Sequence, residues 1–221
     1  MELLAALGSI MFINLILSGD NAVVIALASR NLPVNQRRKA VFLGSLGAVV
    51  LRIGLTVVAA YLLQIPYLQF AGGLALLYIA VKLIADDKGE VKCQEASCLS
   101  EAIKVILVAD VIMSLDNVLA IAGVAGGNWV LLGFGLAMSI PLVVFGSQLI
   151  LKLMDRFPVI IYIGAAILGW TAAKMVVGDA AVGALLASYA LVIEVVLTVG
   201  VVAAGYWFKT RRGAEPAEQP E

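Results

Sequence analysis

The chain has 221 residues, 62% of them hydrophobic and only 14% charged, with a mean hydropathy of +1.05. A soluble domain is about half apolar and about a quarter charged, so the composition excludes one and points to a polytopic helical membrane protein. The apolar runs are continuous rather than alternating, which argues against a barrel, and a net charge of zero offers nothing to nucleic acid.

A hydrocarbon core about 30 Å thick takes about 20 apolar residues per helix. Seven runs meet that length, over about residues 3–29, 39–63, 66–84, 99–124, 129–151, 158–177 and 183–208. The start MELLAALGSI lacks a positive segment, so the first run is expected to remain as a span rather than to be cleaved. That run carries Ser18-Gly19-Asp20-Asn21 in its interior, with Asn14 one turn earlier. RNLPVNQRRK ends it, and the second run holds Arg52. Pro66 opens the third run, and the one long loop follows it, ADDKGEVKCQEASC, with Cys93 and Cys98 expected as reduced thiols facing the cytosol. The fourth run carries Asp110, Met113 and Ser114-Leu115-Asp116-Asn117; Pro158 opens the sixth, and Glu194 lies in the seventh. The polar tail 209–221 is expected to be a disordered cytoplasmic segment.

An internal repeat organises these runs. Ser18-Gly19-Asp20-Asn21-Ala22 aligns with Ser114-Leu115-Asp116-Asn117-Val118 at an offset of 96, which also pairs Asn14 with Asp110. PYLQFAGGLALLYIAVKL lies over PVIIYIGAAILGWTAAKM at an offset of 92, pairing Pro66 with Pro158 and Gly72 with Gly164. The expected fold is therefore an all-α membrane protein of seven transmembrane helices in a single domain over 1–208. Repeat one covers about 1–85, repeat two about 97–177, and an extra helix about 183–208. An odd number of spans per unit inverts the second repeat relative to the first, and transporters built this way bind substrate near the midplane. With the N-terminus outside and the C-terminus cytoplasmic, 13 of the 15 Lys and Arg residues fall on the cytoplasmic side, as the positive-inside rule requires.

Ionisable residues inside spans mark function by default, since an Asp or Arg at a helix centre costs about 2.5–3.5 kcal/mol on insertion scales. Here they are Asp20, Arg52, Asp110, Asp116 and Glu194. An ion pair that only holds helices together is the plain alternative for Arg52, with Glu194 as one candidate partner. Packing alone does not call for a carboxylate and an amide twice in symmetric positions. At about 100° per residue, Asn14, Ser18 and Asn21 share one helical face, as do Asp110, Ser114 and Asn117. Asp20 and Asp116 lie off those faces, so each helix either presents a wide polar sector or unwinds at its motif; Gly19 favours unwinding in the first, and Leu115 does not in the second. Carboxylates, amide oxygens and hydroxyls suit a hard divalent cation such as Mn²⁺, Mg²⁺ or Ca²⁺. With no histidine in the chain and no cysteine in a span, zinc and copper are poor fits. Met113 offers a thioether near Asp110, although packing is its simpler role.

At these residues the chain resembles the TerC family of integral membrane proteins, within the broader LysE-like transporters. The resemblance covers almost all of residues 1–208 and rests on SGDNAVVIA, SLDNVLAIAG, AGGLALLYIAVKL and IGAAILGWTAAKM. It implies a seven-span protein of the bacterial inner membrane that exports Mn²⁺, with Asp20, Asn21, Asp116, Asn117 and Asp110 at the metal site. The first half carries Asn14 where the second has Asp110, so symmetric coordination would be imperfect. Members of the family are also tied to tellurite resistance and to membrane-protein maturation.

The chain contains no GxxxxGK[ST] phosphate loop, and outward movement of two charges costs about 4.6 kcal/mol per 100 mV. The expected mechanism is therefore proton antiport: Asp20, Asp116 and Asp110 take metal from the cytosol and protonate as it leaves, with Glu194 and Arg52 as coupling or ion-pair residues. No permanent cofactor and no enzymatic activity are expected. The expected partners are the lipid bilayer, the divalent ion as substrate, protons as counter-ion and a second copy of the chain in a homodimer. An amino-acid exporter of the LysE type and a non-transporting assembly factor are the alternatives.

Overall fold

The computed structural model describes residues 18–62, 65–86, 95–125 and 129–214. Its helices are α1 (Gly19–Ser29), α2 (Val34–Leu62), α3 (Leu68–Ala85), α4 (Glu95–Ala125), α5 (Trp129–Arg156), α6 (Val159–Gly178), the single turn α7 (Gly183–Leu186) and α8 (Ala190–Ala214), with a 3-10 turn at Ala187–Tyr189 before the last. Among the described residues there is no strand. Four stretches there are long and apolar enough to cross a membrane: Val34–Thr56, Leu68–Ala85, Val159–Gly178 and Gly183–Arg211.

Helix packing puts α1 at the centre and α8 at the edge. Val24, Ile25, Ala26 and Leu27 of α1 are all buried, and a helix that is apolar all round belongs in an interior. It packs against α5, α4, α2 and α6. The most extensive contacts are α3 on α6 and α2 on α4, and α2 also meets α5. Close approach depends on small residues: a Cβ at Gly73 would stand 2.7 Å from the Ala172 carbonyl oxygen, and one at Gly44 would stand 2.9 Å from Ile106 Cδ1. Outward faces are apolar, with Phe145, Tyr78 and Leu191 about two-thirds exposed or more. A surface of this kind is stable against lipid and not against water.

Polar contacts gather at the two ends of the bundle and fix its antiparallel order. At one end Arg30 Nη2 donates to the Leu83 carbonyl at 2.9 Å and Asn31 Nδ2 to the Asp86 carbonyl at 2.7 Å, joining the ends of α1 and α3. Arg37 of α2 pairs with Asp155 of α5 at 2.9 Å, and Lys82 of α3 with Glu101 of α4 at 2.8 Å. Lys209 Nζ donates to the Tyr162 hydroxyl at 3.2 Å, tying α8 to the start of α6.

At the opposite end stands Asp179, 2% exposed, just after α6. Its Oδ1 accepts the Ala181 N–H at 2.8 Å and the Tyr67 N–H at 3.2 Å, and its Oδ2 accepts the Phe70 N–H at 3.1 Å. Tyr67 precedes α3 with φ 66° and supplies no side-chain cap of its own. Asp179 thus does from α6 what a local N-cap would do, satisfying donors of the first turn that have no partner within the helix.

Two expectations are corrected here. The last helix continues to Ala214, so residues 209–214 of the expected disordered tail are helical; Arg211 stacks on Trp207 at 4.0 Å and Thr210 Oγ1 donates to the Trp207 carbonyl at 2.9 Å, which extends the helix past its apolar part. Cys98 is disulfide-bonded rather than a reduced thiol. Residues 1–17, Cys93 and residues 215–221, on which further sequence expectations fall, lie outside the described residues.

Candidate functional site

The polar cluster inside the bundle forms where α1, α2, α4 and α5 meet. Helix α1 begins there: Ser18 is its N-cap, and the Ser18 carbonyl accepts the Ala22 N–H at 3.0 Å. Asp20 lies in the first turn, where the positive end of the helix favours a carboxylate. Its Oδ1 accepts the Asn21 N–H at 2.8 Å. Ser18 and Asn21 are buried and Asp20 is half-buried. Helix α4, by contrast, runs unbroken through Ser114-Leu115-Asp116-Asn117. Among the described residues the glycine motif stands at the start of a helix, while the leucine motif lies within one.

Opposite these motifs, α2 delivers Arg52, 3% exposed. Its Nη2 lies 2.6 Å from Asp110 Oδ1 and its Nε donates to Ser114 Oγ at 2.9 Å. Ser114 Oγ in turn donates to Asp110 Oδ2 at 3.1 Å. Both oxygens of Asp110, itself 5% exposed, are therefore taken, one by a guanidinium and one by a hydroxyl. A buried guanidinium and carboxylate each lose their hydration, and only close geometry with filled lone pairs offsets that loss.

Beside this triad is a cavity of about 10 Å³, walled by Asn21, Ser45, Arg52 and Asp110 and by the apolar Ile25, Ala48, Val49, Ile140 and Val143. That is room for about one water-sized sphere. The Ser45 hydroxyl on its wall is buried and has no hydrogen-bond partner among the described residues. An apolar void of this size ordinarily stays dry; this one has an amide, a hydroxyl and a carboxylate in its wall. Among the described residues no group of three or more His, Cys, Asp or Glu side chains converges as a metal cage.

Of the residues singled out from the sequence, the fold brings Asn21, Asp110 and Arg52 to one cavity and Ser114 into the hydrogen-bond network beside it, with Asp20 next to Asn21 in α1. Asp116 and Asn117 lie in α4, but their side chains, like Asn14 altogether, fall outside the described residues. Met113 is 4% exposed within the apolar core, in keeping with packing. Glu194 is not the partner of Arg52, which pairs with Asp110; it lies on α8, which packs on α6 and α3 at the far side of the bundle. Ser45 was not anticipated. Its signal was present, since a residue seven before Arg52 shares its face of α2.

Fold and site together define an integral membrane protein of packed helices with a small charged cavity buried in its core. The chain belongs to the family described as integral membrane protein TerC, whose model matches residues 1–213. It is 44% identical over 202 residues to the uncharacterized membrane protein YjbE of Bacillus subtilis (strain 168), covering 91% of this chain and 92% of that protein. It is 26% identical to the uncharacterized membrane protein YkoY of the same organism, over 72% of this chain and 56% of YkoY. It is also 26% identical to the UPF0053 inner membrane protein YgdQ of Escherichia coli (strain K12), over 69% of this chain and 72% of that protein. No solved structure matches the chain.

Proposed function

We propose that this protein is a secondary transporter that exports a divalent metal cation, Mn²⁺ in first place, from the cytoplasm in exchange for protons. The observation that carries the reading is the ion-sized cavity in an apolar core, walled by Asn21, Ser45, Asp110 and the Arg52 guanidinium paired with Asp110, with Asp20 adjacent to Asn21 in α1. Oxygen donors of this kind match a hard cation. In this reading the companion motif Asp116-Asn117, which follows Ser114 in α4, is proposed to join that donor set. A cavity of about 10 Å³ leaves no room for an amino acid, which favours an ion over the cargo of a LysE-type exporter.

The architecture we propose is seven spans in two inverted three-helix repeats, α1–α3 and α4–α6, with α8 outside them. Helix contacts support it: exchanging the two triplets sends α2·α4 into α5·α1 and leaves α3·α6, α2·α5 and α1·α4 unchanged, and all of these contacts occur. The orientation is N-terminus outside in a bacterial inner membrane, the location that the name of YgdQ also carries. Arg30, Arg37, Lys82 and Lys209 all make their contacts at the end of the bundle that this orientation turns to the cytoplasm. A passive channel would run inward, because an interior-negative potential of 100 mV is worth about 4.6 kcal/mol to a divalent ion, or more than three decades of concentration. Coupling to protons supplies the opposite direction.

The test is cellular manganese content and growth in excess Mn²⁺, in a strain lacking its manganese exporters and carrying wild type, Asp20→Asn or Asp116→Asn at matched membrane levels. Only wild type should lower cell manganese and rescue growth. Equal behaviour of all three would overturn the metal site and leave the assembly-factor alternative standing.

A further inference from the structure

We propose that Arg52 is a resident cation of the site: its guanidinium and the transported metal occupy Asp110 in turn, each displacing the other. This rests on the metal-export reading and adds to it the way the emptied site is refilled. The guanidinium lies against Asp110 Oδ1 where a metal using that oxygen would sit, and it forms part of the wall of the cavity itself. A divalent ion placed in that cavity would face a positive group in contact with its own ligand, at low dielectric, where like charges repel strongly. Metal and docked guanidinium therefore exclude one another.

The attachment of Arg52 suits such an exchange. It is held at two points, Nη2 on Asp110 and Nε on Ser114 Oγ at 2.9 Å. Release from Asp110 leaves the second bond as a pivot that keeps the guanidinium beside the site, and its charge, uncompensated there, favours its return. When the metal departs, the guanidinium returns and neutralises the carboxylate. The unsatisfied Ser45 hydroxyl, on the same face of α2 as Arg52, is the donor set's spare member. Among the described residues it has no partner, and an ion in the cavity would supply one. A purely structural clamp would explain the ion pair, but not a void with a polar wall beside it.

The experiment measures Mn²⁺ binding to the purified full-length chain in lipid nanodiscs, and Mn²⁺ efflux from proteoliposomes, for wild type, Arg52→Gln and Arg52→Lys. Removing the competing charge should tighten binding by roughly tenfold or more while slowing efflux, because the emptied site is no longer refilled. Arg52→Lys keeps a cation there and should bind close to wild type. Folded Arg52→Gln that binds no tighter than wild type overturns the exchange, while wild-type binding and efflux would leave the export reading intact. Wild type that binds no Mn²⁺ at all fails the export reading itself. If Arg52→Gln is not recovered folded, infrared difference spectra of wild type carrying isotope-labelled arginine decide: a guanidinium band displaced by Mn²⁺ supports the exchange, and an unmoved one overturns it.

Discussion

Asp110 and Asp179 are both carboxylates removed from solvent, at 5% and 2% exposure, and they are held by opposite means. Asp179 accepts from backbone N–H groups of Tyr67, Phe70 and Ala181, which cannot move without unwinding a helix end. Asp110 accepts from two side chains, Arg52 and Ser114, and borders a cavity. Backbone donors make a fastening, and side-chain donors make a contact that can be exchanged. Burial alone, the property that first draws attention to such residues, does not separate the two.

The contrast breaks most sharply at Asp110. Asp110→Ala leaves a guanidinium buried without its carboxylate, which should cost about 3–5 kcal/mol and lower the melting temperature by roughly 10 °C in a chain of this length. Replacing both partners, as in Arg52→Met with Asp110→Leu, should recover most of that stability, since well-packed apolar pairs substitute for buried ion pairs without loss. Metal export should not return with it. Thermal unfolding and efflux measured on the same preparations check both halves, and a double variant less stable than Asp110→Ala would count against the reading.

Asp179→Ala should be the next largest, at about 2–4 kcal/mol, because the backbone donors of Tyr67, Phe70 and the turn after α6 lose their acceptor, and no apolar partner swap can rescue it. Export per folded molecule should stay as it is. The smallest effect is a pH dependence. Burial would push the Asp179 carboxyl up, but the N–H groups of Ala181, Phe70, Tyr67 and Val182 outweigh it and hold the carboxyl below the usual range. Its contribution is therefore present above the ordinary carboxylate value of about 3.9 and is lost as pH falls through the lower folded value. Asp179→Asn should be less stable near neutral pH and show a flatter acid limb in melting temperature against pH. An acid limb identical to wild type would show that other carboxylates carry it.

Much of this was legible in the sequence, and for a physical reason. Inside lipid, backbone groups must be satisfied within helices, so helix positions follow from apolar length, and any charged residue inside a run stands out. That is why Asp20, Asp110 and Arg52 were visible, and why Asn21 and Ser114 could be placed on faces by periodicity. Pairing was not legible, because the match of Arg52 to Asp110 depends on the register of α2 against α4. Gly44 permits that contact through its missing side chain, but it carries no sign of what will be opposite. Asp179 was missed although its local signal was present: an Asp whose side chain accepts the N–H two residues on makes an ordinary Asx turn. Its distant role, on Tyr67 and Phe70, has no signature along the chain.

The Asp179 fastening has a consequence for synthesis. The acceptor that completes the start of α3 is made 112 residues after Tyr67. During translation α3 enters the membrane with its first turn open, and only the arrival of α6 closes it. The first three helices are therefore not a self-sufficient piece: expressed alone, they would lack the one carboxylate that holds Tyr67 in its left-handed conformation, and supplying the later segment as a separate chain is what would restore it.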